Sequence, residues 1–487
     1  MNESGYRRSR ICISSSRRGI ENAEARLSTD RRDSTVRVLK MRRVVALITS
    51  LMLLPSITAP ALSGAVPDIS QIQRHYDAKE YPKTLEELDR LDRETANVPD
   101  VRRLKIRTLL RLGKPKDALT EYDKLAEVVD QEDQLLLREV ALGFVVILTN
   151  DMREQMRGAA YTALKDWHSP ESMPFLEGGL TDQSGLVRAL AAEGLANFDA
   201  GRRSPKFRQA LEDQAALVKE AVLKGFTKSH DASVISLAEP LLKDPEVRVR
   251  VAAAEVLCHL KRSKGCDALL RYAKAPNPDE RTAAIRALVE RQSTELFRVL
   301  KDASENQQPS VRGAAATGFG RLPSAEALVI LNRLLRDPLP PVRIAAAVSL
   351  GKFHGLNAEE PLSRALVERD DAVRAFVIGA LLEHGERYEV VASSIQALIN
   401  MKEPAVRAAV ARALGHAGEP NRESARSALM ILIQDSVPRV RIAAIRSMAK
   451  IEGSRARTVL KNSLHDEDDA VRATAGGALL IVLSLAE

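Results

Sequence analysis

The sequence predicts an all-α protein, an α-solenoid of about eleven stacked helical hairpins. Three observations carry that prediction. A basic anchor recurs every 31 residues, from Arg157 through Arg188, Lys219, Arg250, Arg281, Arg312, Arg343 and Arg374, then after small insertions at Arg407, Arg441 and Arg472. Apolar residues keep fixed offsets from it: Val stands before the anchor in nine of eleven units, Met156 and Glu280 being the exceptions. Ala or Val follows three residues on, and Leu, Phe or Met seven on, as at Ala253, Val377, Leu257, Phe319 and Met448. Offsets of −1, +3, +4 and +7 lie on one stripe of a helix. Finally, aromatic residues are scarce (3%, with a single Trp167), which suits close helix packing better than ring-lined pockets.

Six residues ahead of the anchor stands Asp151, Asp182, Asp213, Asp244, Asp337, Asp435 or Asp466, with Asn306 and Glu368 as near substitutes and Ala275 and Met401 as departures. Pro often follows, as at Asp244-Pro245 and Asp337-Pro338. An Asp and a Pro just ahead of an amphipathic run predict a helix start, the carboxylate accepting orphan backbone N–H groups. A second apolar stretch precedes each Asp, such as Ala327–Leu335. Each unit is therefore two antiparallel helices that cannot bury their apolar faces alone, so neighbours must stack.

Asp, six residues, Val-Arg, then Ala-Ala and Leu resembles the HEAT repeat, in the short bacterial form also called the phycobilisome-lyase HEAT-like repeat. The resemblance covers residues 151–487 and implies a right-handed α/α superhelix. It also implies that the Asp and Arg columns (Asp182, Arg188, Asp244, Arg250, Asp337, Arg343, Asp435, Arg441, Asp466, Arg472) form a structural hydrogen-bonded ladder between successive repeats. Paired charge-assisted bonds would fix the spacing and rotation of the units. Residues 66–150 differ. Lys79–Leu91 and Gly113–Leu125 share a 34-residue offset, and Leu112 to Leu119 resembles a tetratricopeptide repeat, although the large aromatic expected near its first helix is missing. Two such hairpins are expected to cap the solenoid.

The amino-terminal region reads as export. Met41-Arg42-Arg43, the apolar run Val44–Leu54 and small residues near Ala61 and Ala65 describe a signal peptide over 41–65, cleaved after Ala65 or, as second choice, after Ala61. The run is shorter than the about 20 residues a membrane-spanning helix needs, and no span is expected in the mature chain. Ala65 stands where a lipoprotein box would have Cys, and nothing around Arg42-Arg43 supports twin-arginine export. Residues 1–40, rich in Arg and Ser without periodicity, read as a mis-chosen start or a disordered basic leader.

The net charge of +8 does not point to nucleic acid. Residues 1–65 hold 12 of the 73 Lys and Arg and 5 of the 65 Asp and Glu, leaving 61 against 60 in the body. A duplex-binding array would need a basic excess along one face. Catalytic patterns are missing too: the eight His are scattered, and there is no His-Glu pair, Walker loop, Gly-x-Ser-x-Gly elbow or Cys-x-x-Cys. His-Glu dipeptides are what resemblance to deoxyhypusine hydroxylase would require for iron, so no metal or cofactor is expected. Cys258 and Cys266 are the cysteines beyond the signal segment. They read as two small buried residues; an oxidising compartment would allow a disulfide across the inter-repeat turn.

A partner would meet the second helix of each unit, which lines the concave side in HEAT-like solenoids. Columns +5 and +9 lie opposite the apolar stripe. They read Glu193, Lys224, Glu255, Arg286, Arg412 and Arg446, then Asn197, Lys228, His259, Glu290, Arg321, Lys352, Glu383, His416 and Lys450. Mixed sign and variation from unit to unit suit a protein partner, although each residue alone reads as an ordinary solvated position. At about 10 Å per hairpin, eleven units predict an open groove roughly 100 Å long. Ala478–Ala486 is apolar nearly all round, unlike a polar end cap, and predicts either an internally buried helix or a contact for a second subunit or a membrane partner. The chain thus reads as an exported, periplasmic or secreted, non-catalytic scaffold that binds protein along its concave face. The alternative is an enzyme or enzyme subunit of the HEAT-like lyase- and oxidoreductase-related family.

Overall fold

The computed structural model describes residues 69–291 and 295–484, all within one compact unit, Asp68–Glu487. The basic leader, the signal segment and its cleavage site lie outside the described residues. Besides the short helices Arg93–Ala96 and Asp199–Arg203, which carry no label here, five helices open the unit: α1 (Ser70–Asp77), α2 (Tyr81–Asp89), α3 (Pro99–Arg111), α4 (Pro115–Ala126) and α5 (Gln134–Val146). Then come α6 (Glu154–Trp167), α7 (Met173–Gly179), α8 (Gly185–Leu195), α9 (Pro205–Gln209), α10 (Ala216–Phe226), α11 (Ile235–Ala238) and α12 (Val247–His259). Next are α13 (Ser263–Tyr272), α14 (Pro278–Arg291), α15 (Leu296–Ala303), α16 (Pro309–Phe319), α17 (Ala325–Leu334), α18 (Pro340–Leu350) and α19 (Glu359–Arg364). The chain continues with α20 (Asp371–His384), α21 (Tyr388–Ile399), α22 (Pro404–Leu414), α23 (Arg422–Ile433), α24 (Pro438–Glu452), α25 (Arg457–Asn462) and α26 (Asp469–Ser484). Among the described residues there is no strand.

The anchor-bearing helices are the even-numbered ones from α6 to α26, and each packs against the next. Their −1 and +7 residues are buried, for example Val187, Val249, Leu257, Phe319 and Met448 at 0% exposure. The odd-numbered helices form a second layer outside them. One continuous apolar core runs from Ile106 to Leu483, and a satellite cluster of Ile72, Leu88, Val101 and Leu104 lies under α1 to α3. The repeating array begins earlier than residue 151, because α5 stands where an outer helix would stand before α6.

The array closes on itself. Helix α26 packs on α24, as expected, but also extensively on α5 and α6 at the other end of the chain. In the array an inner helix packs on the following outer and inner helices, as α12 does on α13 and α14. Helix α26 treats α5 and α6 in the same way, so eleven inner helices form a ring. Two glycines permit the approach: a Cβ at Gly476 would stand 2.7 Å from the Ala141 carbonyl oxygen, and one at Gly477 2.6 Å from the Ala163 Cβ. Leu479, Leu480, Val482 and Leu483 are buried there, each by about 2 kcal/mol of apolar transfer. Trp167 donates its indole N–H to Ser484 Oγ at 3.2 Å. Polar contacts tie the outer edge of the seam: Arg457 pairs with Glu132 at 3.4 Å and Lys461 with Asp123 at 3.5 Å, and His465 Nε2 lies 3.0 Å from the same Asp123 carboxylate. The expectation of an open groove is therefore corrected, because the apolar ends of the array cover one another. The apolar face of the carboxyl-terminal helix is covered within the chain, by α5 and α6.

The Asp and Arg columns connect neighbouring units. Arg188 Nε and Nη2 donate to both carboxylate oxygens of Asp213 at 2.7 and 2.8 Å, while its Nη1 donates to the Asp182 and Gln183 carbonyls. Arg157 with Asp182, Arg312 with Asp337, Arg407 with Asp435 and Arg441 with Asp466 repeat the fork. Lys219 reaches Asp244 with one bond of 2.8 Å, because an ammonium has no fork. Each Asp also accepts a backbone N–H, but not from a helix amide: Asp182 takes Ser184 N–H at 2.7 Å and Asp213 takes Ala215 N–H at 2.7 Å, both in the turn just outside the helix. The helix-start reading is corrected by that one turn; Ser184 itself caps α8.

Two of the departures are compensated. Ala275 removes a carboxylate from the column, and Glu280, which breaks the Val column, restores it by accepting from Arg250 Nη2 at 2.8 Å. Glu368 accepts from Arg343 at 3.3 Å. Where Met401 offers nothing, Arg374 turns to Asp371 of its own unit. At the seam, Arg153 holds Asp151 at 2.8 Å and Asp469 at 3.0 Å, and Asp469 pairs with Arg472. Four charges thus make the closing rung, and the hydrogen bonds from Arg153 pull the Asp151 carboxyl down to about 2.

Cys258 and Cys266 are joined as a disulfide, with Cα atoms 4.6 Å apart, where the sequence reading favoured two unbonded residues. The bond links the end of α12 to α13.

Arg188→Ala should destabilise the protein by about 3 kcal/mol in urea unfolding, because Asp213 keeps a largely buried charge without its partner. Arg188→Lys should cost less, and Arg364→Ala, which removes an exposed pair with Glu360, under about 0.5 kcal/mol. Stability should also fall with acid in two windows. Asp213 and Asp435 have carboxyls lowered by the Arg188 and Arg407 hydrogen bonds, so their contribution is present above the ordinary value of 3.8 and lost as pH falls through the lower folded value. Burial, then the neighbouring His354, holds His384 below its ordinary 6.5, so folding becomes less favourable as pH falls below that value. Urea midpoints measured from pH 8 to 3 should decline gently below 6.5 and steeply below about 4, and His384→Asn should remove part of the first decline.

Candidate functional site

The inner wall of the ring is built by the faces of α6 to α26 that point away from the core. The columns at +5 and +9 lie there, and the structure adds those at −2 and +2. A step of seven residues returns almost to the same side of a helix, so −2 falls under +5 and +2 under +9. Helical phase in the sequence was enough to find Arg248, Asp279 and Arg439 at −2; reading two columns alone missed them. Cross-helix bonds confirm a shared face. Lys165 meets Glu193 at 2.9 Å, Lys228 donates to Asn197 Oδ1 at 2.7 Å, Arg248 meets Glu220 at 3.0 Å, and Arg321 meets Glu290 at 3.0 Å.

These contacts divide the candidate residues. Glu193, Lys224 and Arg321 are exposed yet already paired, Lys224 with Glu220 at 2.6 Å. Glu255 is buried at 9% exposure and does not present its carboxylate freely. Burial, then the Arg202 charge, lowers the Lys228 ammonium. Glu383 is held by His416 at 3.3 Å, and that bond lowers its carboxyl. Arg286, Lys352, Arg412 and Arg446 are exposed and belong to no ion pair among the described residues. From α6 to α16 the wall is largely neutralised by its own pairs; along α22 and α24 it is not. Inner helices spaced about 10 Å apart in a ring of eleven leave a lumen roughly 25 Å across.

An apolar cleft of about 300 Å³ opens on this wall beside the seam, between α6, α24 and α26. Ala159, Ala163, Ala449, Gly477, Ile481 and Val482 line it, with Arg446 and Lys450 at one edge and Asp166 at the other. A second cleft, of about 540 Å³, lies along α6 to α12 among Lys165, Glu193, Lys224 and Lys228. Its lining charges are of both signs. Among the described residues no group of three or more His, Cys, Asp or Glu could hold a metal ion, and no helix is long and apolar enough to cross a membrane. The wall offers hydrogen bonds, charge and small apolar surfaces, which are the means of recognition.

A search of curated proteins finds no match. Among solved structures, Kap121p is similar over 84% of this chain and 55% of its own, at 12% identity and a TM-score of 0.35, so this chain spans about half that protein's length. The complex of CpcE and CpcF of phycocyanin lyase from Nostoc sp. PCC7120 is similar over 46% of this chain and 92% of its own, at 19% identity and a TM-score of 0.31. Human deoxyhypusine hydroxylase is similar over 59% of this chain and 97% of its own, at 20% identity and a TM-score of 0.26. The profile of HEAT repeats matches residues 141–226, 235–316, 297–382 and 391–480, starting within α5 and reaching into α26. With more than half of its length matched in register with the helical hairpins, the chain belongs to the HEAT-repeat family.

Proposed function

We propose that this protein is a non-catalytic scaffold, acting outside the cytoplasm, that binds a protein partner on the inner wall of its ring. One observation carries the reading: exposed cations on that wall, Arg286, Lys352, Arg412 and Arg446, form no ion pair among the described residues, while the charges of the structural ladder are consumed in pairs. Unpaired charge beside small apolar surfaces is the composition of a protein-binding rim and core. Export is supported by the signal-like segment 41–65 and by the disulfide between Cys258 and Cys266, since such bonds persist in oxidising compartments. The amino-terminal hairpins α1 to α4 would then be an accessory, tetratricopeptide-like element outside the ring wall.

A photo-crosslinking amino acid placed at Lys352, on the wall, should capture a discrete protein in the native envelope. The same amino acid at Lys206, an exposed outer-layer residue, should not. Capture from Lys206 alone, or from neither site, contradicts the reading. In the same preparation, mass spectrometry of the exported chain should find its amino terminus just after Ala65; a chain retaining residues 1–65 in the cytoplasm contradicts the location.

A further inference from the structure

We propose that the wall segment formed by α22, α24 and the seam cleft is a docking site for an acidic peptide segment that carries an apolar anchor residue. This deepens, and rests on, the protein-binding reading. Arg439, Arg446 and Lys450 stand seven and four residues apart on α24, so they form one stripe. Arg412 occupies on α22 the column that Arg446 occupies on α24. All four are exposed, and none has an ion pair among the described residues. Burial, then the like charge of Arg439, lowers the Arg412 guanidinium, so these two cations on neighbouring helices feel one another's charge.

Like charges outside any ion pair cost electrostatic energy in the free protein, which an acidic ligand relieves. The neighbouring carboxylate, Glu383, is bonded first to His416 at 3.3 Å, and the Lys352 and Lys450 charges reach it only at longer range, outside ion-pair distance. Arg446 and Lys450 also form the edge of the 300 Å³ cleft, whose floor is alanine, glycine, Ile481 and Val482. That places charge and an apolar recess side by side, the recess being sized for one large aliphatic or aromatic side chain. A nucleic acid fits less well: no lining residue of the cleft is aromatic, Asp166 closes its far edge, and the rest of the wall is of mixed sign.

A phage-displayed random-peptide library panned on the immobilised full chain tests this. Enriched peptides should carry two or more Asp or Glu beside Leu, Ile or Phe. Their affinity should drop at least tenfold in Arg439→Glu/Arg446→Glu, in the milder Arg439→Gln/Arg446→Gln, and in 0.5 M NaCl. Ile481→Asp should weaken binding without removing its salt dependence. Enriched peptides that lack acidic residues, or that are indifferent to both charge variants while these melt like the parent, overturn the docking site and leave the protein-binding reading standing. Enrichment of no peptide, with saturable binding of oligo(dT) or of anionic phosphatidylglycerol vesicles instead, overturns both.

Discussion

A stack of helical hairpins has two ends, and each end exposes an apolar face that water disfavours. Most of what is unusual in this molecule follows from how those ends are covered. The first hairpin, α5 and α6, and the last helix, α26, cover one another. The contact reuses the packing found between every other pair of neighbours, so closure needs no new kind of interface. It does need room, supplied by Gly476 and Gly477 where α26 meets Ala141 and Ala163. It also needs the rotation between units to sum to a full turn. Where the ladder forms bidentate Arg–Asp forks it restrains that rotation, because such a fork tolerates little twist between planes.

The ladder was legible in the sequence because it repeats, and repetition turns a weak local pattern into a firm register. Its exceptions were equally visible but could not be interpreted singly. Ala275 and Glu280 are two lapses from two different columns, and only in three dimensions do they become one substitution, with Arg250 finding its carboxylate five residues further on. Closure was hidden for a related reason. The carboxyl-terminal helix announced itself as too apolar for an end cap, yet a sequence records which surface needs covering and not what covers it. Asp123 and Lys461 meet across the whole chain, and no periodicity connects them.

The inner wall was half visible. Columns +5 and +9 lie on it, but helical phase placed Glu255 there without showing that it would be buried, or Glu193 without its Lys165 partner. Pairing is a property of neighbouring helices, and it is pairing that separates structural charge from charge left for a ligand. The same distinction explains how a body with balanced charge holds a localised basic patch: acids are spent in the ladder and along α6 to α16, leaving Arg412, Arg439, Arg446 and Lys450 outside any ion pair among the described residues.

Ring closure is the claim on which the lumen, the cleft and the docking site depend, and zero-length carbodiimide cross-linking tests it most directly. Carbodiimide joins an ammonium to a carboxylate only when they are in contact. Closure predicts a Lys461–Asp123 cross-link in the monomeric fraction, recovered alongside two controls, the ladder pair Lys219–Asp244 and the wall pair Lys165–Glu193. Recovery of both controls without Lys461–Asp123, or its recovery in covalent dimers alone, would mean that the two ends stand apart and the chain is an open solenoid.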